Sequence, residues 1–298
     1  MKICGVNSPV ITILDESGKI DAAAMEQHIA HLAASGLNGL LILGSLGEFY
    51  SFSMAEKKFL VDLAIRAAGG KTQIIVGVGS ERLADTLELA NYAQAAGADA
   101  INVVSPYYFA PSENSMVDYF GRIATEINLP IQLYNFPAKV GADITPKVVK
   151  TLAEKYSNIV SIKDTVDNIS HTRAVIRAVK SVRQDFTVLS GFDEYYLVNR
   201  ASGGDGVLCG LTNIVPEIFV RYHRAYEAGD FATTMDCAKK ISQLMQIYSM
   251  TDLFVVAMKA ALKATSGLKM STFTRAPGLP LKDEQYERIC ALLKEILG

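Results

Sequence analysis

The sequence has 298 residues, 50% of them hydrophobic, and its 29 Lys and Arg against 31 Asp and Glu leave a formal net charge of −2. This balance offers no electrostatic attraction to nucleic acid or to an anionic membrane, so neither partner is expected. The length allows one large domain or two smaller ones, with an ample core in either case. The longest charge-free run, 27–47, contains polar residues and four glycines and is not expected to span a membrane.

The cysteines, the first residues and the histidines bear on location and on metal binding. The four cysteines form no C-x-x-C pair, which is typical of reduced thiols in a cytosol. The first residues lack the apolar stretch of a secretory leader. His28 and His31 are three residues apart but have no third ligand or acidic partner in register. We therefore predict a cytoplasmic protein without a bound metal.

Short apolar runs alternate with longer amphipathic segments along the first three quarters of the chain. The runs show little alternation between apolar and polar residues, which is typical of strands covered on both faces. They predict strands at 6–13, 39–43, 73–78, 100–104, 131–135, 159–163, 186–190 and 206–209.

The amphipathic segments predict helices, and several carry the chemistry of helix ends. Ser53 and Glu56 have the spacing of a capping box, and Thr145 with Pro146 places a proline at the first helical position after a threonine cap. The segments between strands include 25–34, 54–68, 83–96 and 146–156. After Glu217 only helical patterns remain, and they lie at 231–248, 253–265 and 283–297.

Eight predicted strands alternating with helices indicate successive β-α-β units, and eight parallel strands can close into a barrel. We therefore predict an α/β fold, a (β/α)8 TIM barrel with a C-terminal helical extension. The barrel core is predicted at 1–215, and the last barrel helix and the extension at 216–298. An open doubly wound sheet is the alternative, but no predicted strand is followed by a G-x-G-x-x-G turn.

A lysine ends the sixth predicted strand. In such barrels functional residues lie at the carboxyl ends of the strands and in the loops that follow. Strand alternation points Lys163 to the same side as Ser161. If that side is the barrel interior, burial disfavours the charged ammonium, and a neutral amine can attack a carbonyl carbon to form a Schiff base. The alternative is a structural lysine paired with Asp164.

Tyr134 ends the preceding strand and can therefore lie beside Lys163 in a parallel barrel. Schiff-base chemistry needs a group that carries protons to and from the substrate, and a phenol can do this if a relay stabilises the phenolate. The alternative is a tyrosine at a strand end with its hydroxyl in water.

Two further strand ends carry candidate binding groups. The turn 44–48 is glycine-rich, and its backbone N–H groups can bind a carboxylate or phosphate, with Ser45 adding a hydroxyl that can join a proton relay. Such a turn is also an ordinary connection between strand and loop. Asp193 and Glu194 follow the seventh strand, where they can bind a ligand or cap the next helix.

These strand ends together resemble the class I pyruvate-dependent lyases of the N-acetylneuraminate lyase and 4-hydroxy-tetrahydrodipicolinate synthase superfamily. The resemblance covers nearly the whole chain and rests on the order of GSLGE, PYY, YNFP, IKDT and GFDE, followed by the helical tail. It implies a (β/α)8 barrel that binds pyruvate as a lysine imine, with no other cofactor. It also implies a homo-oligomer, a tetramer built from tight dimers.

The resemblance assigns roles by position. Lys163 corresponds to the Schiff-base lysine, Tyr134 to the proton-transfer tyrosine and Ser45 to the hydroxyl of the relay. Tyr108, the second Tyr of PYY, corresponds to the aromatic residue that family members donate into the neighbouring subunit's site. The backbone amides of Ser45 and Leu46 correspond to the cradle for the pyruvate carboxylate.

Departures from the family pattern bear on the substrate. The dipicolinate-forming synthases usually carry two adjacent hydroxyl residues in the first turn, where this chain has Ser45 followed by Leu46. They also carry an Arg after YN-x-P to hold the aldehyde partner's carboxylate. Lys139 stands there instead, and it lacks the planar fork of a guanidinium. It is retained as a candidate contact to the substrate.

The seventh strand end resembles the sugar-acid lyases. Asp193 and Glu194, which follow Gly191, match two acids that accept hydrogen bonds from substrate hydroxyls in those enzymes. Thr165 matches a polar contact to the substrate. The segments GEF, YNFPA and IKDT look most like bacterial 2-keto-3-deoxy-gluconate aldolases.

We therefore predict a lyase that cleaves a 2-keto-3-deoxy sugar acid to pyruvate and an aldehyde. The first alternative is a 4-hydroxy-tetrahydrodipicolinate synthase, which condenses pyruvate with aspartate semialdehyde, and the second is an N-acetylneuraminate lyase. A protein of another class, a non-catalytic sensor of keto acids, would bind pyruvate without turning over any acceptor.

Overall fold

A computed structural model describes residues 2–298 of the chain, and its strands close into a barrel in the order β1 to β8. The predicted (β/α)8 barrel with a C-terminal helical extension is confirmed. The strands are β1 Gly5–Pro9, β2 Gly39–Ile42, β3 Gln73–Gly77, β4 Ala100–Val104, β5 Ile131–Asn135, β6 Ile159–Asp164, β7 Thr187–Ser190 and β8 Gly206–Leu208.

Helices follow the strands and continue beyond the last one. The helices of the first two thirds are α1 Ala22–Ala34, α2 Met54–Ala68, α3 Leu83–Ala96, α4 Glu113–Glu126, α5 Pro137–Val140, α6 Pro146–Lys155, α7 Ile169–Lys180 and α8 Tyr196–Ala201. The remaining helices are α9 Pro216–Ala228, α10 Phe231–Leu244, α11 Phe254–Ser266 and α12 Asp283–Leu297. No helix within residues 2–298 combines the length and the apolar character needed to cross a membrane.

The predicted helix ends form as their sequences indicate. Ser53 caps α2, and its side chain and that of Glu56 satisfy each other's backbone N–H groups. Thr145 accepts a hydrogen bond from the Val148 N–H at the start of α6. These caps satisfy backbone donors that have no partner within the helix.

The predicted first strand, 6–13, is too long, because β1 ends at Pro9. The Val10 N–H still donates to the Leu41 carbonyl oxygen of β2 at 2.9 Å, but the N–H groups of Ile11 and Ile13 have side-chain partners outside the strand ladder. The N–H of Ile11 donates to Asn213 Oδ1 at 3.1 Å, and that of Ile13 contacts Met25 Sδ at 3.1 Å. The residues are apolar and buried, so their composition resembles a strand although their backbone does not continue one.

The chain forms two compact units, one of residues up to 7 with 73–209 and one of residues 8–72 with 210–298. The first unit contains β1 and β3–β8, and its strand pairs are parallel. The second unit contains α1, β2, α2 and the helices from α9 onward. The division of the chain at residue 215, made from the sequence, stays a prediction.

A row of polar side chains crosses the interior face of the first unit. Asn102 Nδ2 donates to Gln132 Oε1 at 2.9 Å, and Gln132 Nε2 donates to Ser161 Oγ at 3.1 Å. All three residues are buried, and such groups are tolerated in a core because they satisfy one another. Since Ser161 lies on this inward face, strand alternation places Lys163 on it as well.

Candidate active site

Lys163 and Tyr134 form a buried pair at the carboxyl ends of β6 and β5. The two residues are direct neighbours in the register of these strands. Lys163 Nζ lies 4.3 Å from the centroid of the Tyr134 ring, within the range at which an aromatic face attracts a cation. The side chains are only 5% and 4% exposed. An amine and a phenol therefore face each other out of bulk solvent, as the sequence predicts.

Asp164 does not serve as the structural partner of Lys163. Consecutive residues of a strand point to opposite faces. The carboxylate of Asp164 accepts hydrogen bonds from Asn135 Nδ2 at 2.9 Å and from Thr172 Oγ1 at 2.7 Å. His171 Nδ1 lies 3.0 Å from its Oδ2. Both carboxylate oxygens are thus engaged on the face away from Lys163.

His171 links Asp164 to a second carboxylate, since His171 Nε2 lies 3.1 Å from Asp143 Oδ2. Burial lowers the pKa of His171, but the hydrogen bonds to Asp143 and Asp164 outweigh it and raise the pKa to about 10. Burial raises the pKa of Asp143, and its hydrogen bonds to His171 and Asn135 bring the net shift below the ordinary value. Neither His171 nor Asp143 is predicted as a site residue from the sequence, because no short motif joins them.

Thr165 and Gly191 meet where β6 and β7 end. A Cβ on Gly191 would overlap with Thr165 Oγ1, so only glycine allows the two strand ends this close approach. Thr165 is 7% exposed, and its hydroxyl has no hydrogen-bond partner among residues 2–298. A buried hydroxyl without a partner is costly in a folded protein. It is therefore available to a ligand, and the predicted substrate contact of Thr165 stays a prediction.

Asp193 lies deep beside a cysteine that the sequence analysis did not select. Asp193 is 2% exposed, and Cys209, which directly follows β8, is 1% exposed. Burial raises the pKa of the Cys209 thiol well above its ordinary value, the charge of Asp193 and a hydrogen bond to it add to the rise, and the charge of Lys163 opposes it. Lys163, Asp193 and Cys209 thus share one electrostatic environment. Its position at a strand end is the sequence feature that could have identified Cys209 as a candidate site residue.

The alternative role of Asp193 and Glu194 as helix caps does not match their positions. They lie inside a 3₁₀ turn, Asp193–Tyr195, whose capping residue is Phe192, and the residue that precedes α8 is Tyr195. Neither Phe192 nor Tyr195 makes a side-chain cap. The two carboxylates are therefore not used to cap these helices.

Glu194 belongs to a more exposed acidic group with Asp167. Burial raises the pKa of Glu194, and repulsion by Asp167 raises it further. Tyr195 Oη donates to Asp167 Oδ1 at 2.6 Å. The carboxylates of Glu194 and Asp167 provide acceptors for the hydroxyl groups of a ligand, while Asp193 is buried beside Cys209.

Tyr108 and Lys139 lie outside the buried pair. The side chain of Tyr108 is 89% exposed, its ring packs edge-on against Phe109 with centroids 4.9 Å apart, and its φ is 80°. A positive φ is unfavourable for a bulky residue and often marks a functional segment. Lys139 is exposed on the short helix α5. Within the described chain, Tyr108 is therefore directed to solvent and not into a buried relay.

The predicted cradle, turn 44–48, lies in the second unit and has a strained backbone. Leu43 and Glu48 have φ values of 61° and 55°. A Cβ on Gly47 would lie 2.9 Å from the Val10 carbonyl oxygen, so the turn packs too closely for a larger residue. Ser45 is half-buried and Leu46 is buried. Strain of this kind persists only where the surroundings hold it in place.

A buried ion pair holds the end of this turn. Glu48 pairs with Lys259 of α11, and both side chains are 0% exposed. Lys259 Nζ also donates to the Phe273 carbonyl oxygen at 2.6 Å, and the Arg275 N–H donates to Glu48 Oε2 at 3.3 Å. Burial lowers the pKa of Lys259, although Glu48 opposes this shift. The sequence analysis missed Lys259, whose only signal is a single charge within an apolar helical run.

Comparisons with known proteins converge on one family. The model of the Dihydrodipicolinate synthetase family matches residues 2–296. The chain is 37% identical over 292 residues to YjhH of Escherichia coli strain K12, named probable 2-dehydro-3-deoxy-D-pentonate aldolase, covering 98% of this chain and 97% of YjhH. It is 36% identical over 242 residues to the 4-hydroxy-tetrahydrodipicolinate synthase of Methanocaldococcus jannaschii, covering 81% and 82% of the two chains.

Solved structures give the same result. The crystal structure of E. coli K12 YagE, a prophage protein belonging to the dihydrodipicolinic acid synthase family, in complex with pyruvate, matches with a TM-score of 0.96. The sequences are 36% identical, and the match covers 99% of each chain. A dihydrodipicolinate synthase from Thermotoga maritima matches with a TM-score of 0.93 at 26% identity, over 99% of each chain.

Proposed function

Because the chain belongs to the dihydrodipicolinate synthetase family, as its motifs predict, we propose that it cleaves a 2-keto-3-deoxy sugar acid to pyruvate and an aldehyde. It is an enzyme of the pyruvate-dependent lyase class. The observation that carries the proposal is the buried Lys163, whose Nζ faces the Tyr134 ring at 4.3 Å on the inward face of β6.

The proposed reaction proceeds through a lysine imine. The Lys163 amine adds to the C2 carbonyl and loses water to form an iminium ion, which can accept an electron pair. Tyr134 takes the proton of the C4 hydroxyl as the C3–C4 bond breaks, and the aldehyde leaves. The bonding electrons enter the iminium to give an enamine, which is protonated at C3. Hydrolysis then releases pyruvate and the amine, and no other cofactor takes part.

Proton transfer requires partners for Tyr134, and we assign Ser45 and Tyr108 to this relay. The exposure of Tyr108 and its positive φ support a role in the site of a neighbouring subunit. The active protein is accordingly proposed to be a homo-oligomer, a tetramer formed as a dimer of dimers, in which dimerisation completes each site. The scattered free cysteines are in keeping with the proposed cytoplasmic location.

The pyruvate carboxylate is proposed to bind the backbone amides of Ser45 and Leu46. Backbone N–H groups of a tight turn form a concave site for an anion. The Glu48–Lys259 ion pair supports this assignment, because it holds the strained end of the same turn. The turn then does not need to reorganise when the anion binds.

The hydroxyl-bearing end of the substrate is assigned to the ends of β6 and β7. Thr165 offers its unpartnered hydroxyl, and Gly191 provides the close approach. Asp193 and Glu194 supply carboxylate acceptors, and Lys139 supplies a cation from α5. Acceptors of this kind suit the several O–H donors of a polyol better than they suit the carboxylate of an amino acid semialdehyde.

The 4-hydroxy-tetrahydrodipicolinate synthase reaction remains the second candidate function, since that enzyme of M. jannaschii is a relative. Leu46 and Lys139 favour the aldolase over this alternative, because neither supplies the second hydroxyl or the planar guanidinium that the synthase resemblance requires. Cleavage of N-acetylneuraminate and binding of keto acid without turnover are the remaining outcomes of the same assay.

Borohydride trapping tests the proposal. Incubation with pyruvate and borohydride should attach pyruvate to the peptide that contains Lys163, and Lys163→Ala should lose the adduct completely. A panel of 2-keto-3-deoxy acids should show cleavage to pyruvate. An adduct on another peptide would refute the role of Lys163. Efficient condensation of pyruvate with aspartate semialdehyde, without cleavage of sugar acids, would assign the alternative function.

A further inference from the structure

A polar cluster outside the Lys163–Tyr134 pair joins the ends of β5 and β6 to the segment 136–145. It consists of Asn135, Asp143, Asp164 and His171, and we call its central part, Asp143–His171–Asp164, the histidine bridge. His171 Nδ1 lies 3.0 Å from Asp164 Oδ2, and His171 Nε2 lies 3.1 Å from Asp143 Oδ2. The side chains of His171 and Asp164 are 14% and 0% exposed.

The geometry requires a charged imidazolium in the bridge. Ionised carboxylates only accept hydrogen bonds, whereas a neutral imidazole carries a single N–H. Because both ring nitrogens of His171 face carboxylate oxygens, both must carry a proton. One cation then lies between two anions, and charge-assisted hydrogen bonds of this type are stronger than neutral ones. The raised pKa of His171, about 10, agrees with this assignment.

The polar cluster holds the segment 136–145 at its two ends. At its start, Asn135 follows Tyr134 in β5. At its end, Asn135 Nδ2 donates to Asp143 Oδ1 at 2.8 Å, and the Ile144 N–H donates to Asn135 Oδ1 at 2.9 Å. His171 adds the link from Asp143 to Asp164, the residue after Lys163. Between the fastened ends lies α5, which carries Lys139.

We propose that His171 is a positioning residue, which holds the segment 136–145 against the end of β6 and thereby sets the affinity for the part of the substrate beyond the pyruvate unit. This inference rests on the proposed aldolase function. It assigns a specificity role to a residue that points away from Lys163 and contacts neither reacting group. The pyruvate unit itself depends on Lys163 and the turn 44–48, and it should bind equally well without the bridge.

Two substitutions of His171 separate the halves of the bridge. The amide nitrogen of an asparagine falls near the Nδ1 position of histidine, so His171→Asn keeps the contact to Asp164 and loses Asp143. The longer glutamine places its amide near Nε2, so His171→Gln keeps the contact to Asp143. Misplacing a binding group by about 1 Å can cost on the order of 100-fold, so His171→Asn should raise the KM for the sugar acid about 10- to 100-fold. His171→Gln should recover most of this loss.

Asp143→Ala breaks the same link from the other side and should raise KM to a similar extent. The double variant His171→Asn/Asp143→Ala should be no worse than either single variant, because residues that act through one contact are not additive. His223→Asn on α9 is the matched control, and it should leave KM unchanged. Hydrogen exchange should become faster for the amides of α5 and Ile144 in His171→Asn, but not in the control.

Pyruvate trapping on Lys163 shows whether a negative result contradicts this inference or the proposed function. If trapping persists in His171→Asn while KM rises and kcat changes little, the positioning role is supported. If KM and hydrogen exchange stay unchanged with trapping intact, the inference is wrong and the proposed function stands. If His171→Asn does not fold, Asp143→Ala decides by the same criteria. If the wild-type protein forms no adduct on Lys163, the proposed function fails, and the inference fails with it.

Discussion

Two lysines are buried within residues 2–298, and their surroundings differ completely. Lys259, in α11, pairs with the Glu48 carboxylate and donates to the Phe273 carbonyl oxygen. Lys163, at the end of β6, faces the ring of Tyr134. The first amine has its charge compensated by a full anion. The second has its own contact to the face of an aromatic ring, and it shares its surroundings with Asp193 and Cys209.

Burial alone therefore does not distinguish the proposed Schiff-base lysine from a lysine of the framework. Burial lowers the pKa of Lys259, Glu48 opposes this shift, and the carboxylate uses the donors of the Lys259 nitrogen. A reactive amine needs burial together with a neighbour that can exchange protons and does not hold the cation permanently. Lys163 with Tyr134 meets this condition, whereas Lys259 with Glu48 forms part of the framework. Four measurements test the roles of Lys163, Lys259 and the residues around Lys163.

Exchanging each lysine for methionine should give opposite results. Lys163→Met should abolish pyruvate trapping and turnover with little loss of stability, since methionine keeps the packing against the Tyr134 ring. Lys259→Met should leave Glu48 buried without a partner and lower the free energy of unfolding by about 3–5 kcal/mol. Denaturant unfolding and borohydride trapping on the same samples measure both effects. The double variant Glu48→Gln/Lys259→Met should regain part of the stability. If Lys259→Met were stable but formed no pyruvate adduct, Lys259 and not Lys163 would be the reactive lysine.

Removing the phenol hydroxyl should leave the nucleophile intact. Tyr134→Phe keeps the ring that faces Lys163 but removes the proposed proton carrier, so kcat should fall about 10²- to 10⁴-fold. Pyruvate should still be trapped on Lys163, because imine formation requires the amine first. Single-turnover kinetics with a 2-keto-3-deoxy acid measure the chemical step. An unchanged kcat would show that Tyr134 only packs against the lysine.

The unpartnered hydroxyl near Lys163 should contribute a smaller effect. Thr165→Val keeps the shape and removes one hydrogen bond to the substrate, worth about 1 kcal/mol, so KM should rise roughly fivefold to tenfold. Stability should stay the same or increase, because the hydroxyl has no partner in the described chain. Thr187→Val is the matched control, a buried hydroxyl likewise without a partner but at the start of β7. Equal KM changes in both variants would remove Thr165 from the binding site.

The last prediction concerns the pH dependence of stability and the face of β6 behind Lys163. His171 has a pKa of about 10 in the folded protein against an ordinary value of 6.5. A cation with a raised pKa stabilises the fold fully below its unfolded pKa, and this contribution decreases as pH rises toward the folded value. Wild type should therefore exceed His171→Asn in stability most clearly below pH 6.5, and the difference should shrink toward pH 10. Urea unfolding across this range would reveal a constant difference if the bridge were neutral.

Much of the site could be predicted because its signals are local. Lys163 and Tyr134 end successive apolar strands, and parallel strands bring their carboxyl ends to one edge. The capping box of Ser53 and Glu56 is local for the same reason. The predicted first strand was too long. The apolar residues after Pro9 resemble a strand, although the N–H groups of Ile11 and Ile13 contact the side chains of Asn213 and Met25. Asn213 lies 202 positions from Ile11, so no local pattern predicts this contact.

The sequence alone determined the alternation of strands and helices, the barrel, and the identity of the buried amine and phenol. These features depend on hydrophobic periodicity and strand order, which are properties of neighbouring residues. Only the tertiary structure decided which charges compensate one another. The Arg275 N–H reaches Glu48 across 227 positions, and His171 reaches Asp143 across 28. Pairing over such separations depends on how the folded elements pack, and no local pattern of side chains encodes it. Two buried lysines that look alike in sequence therefore differ in chemistry only once their neighbours are in place.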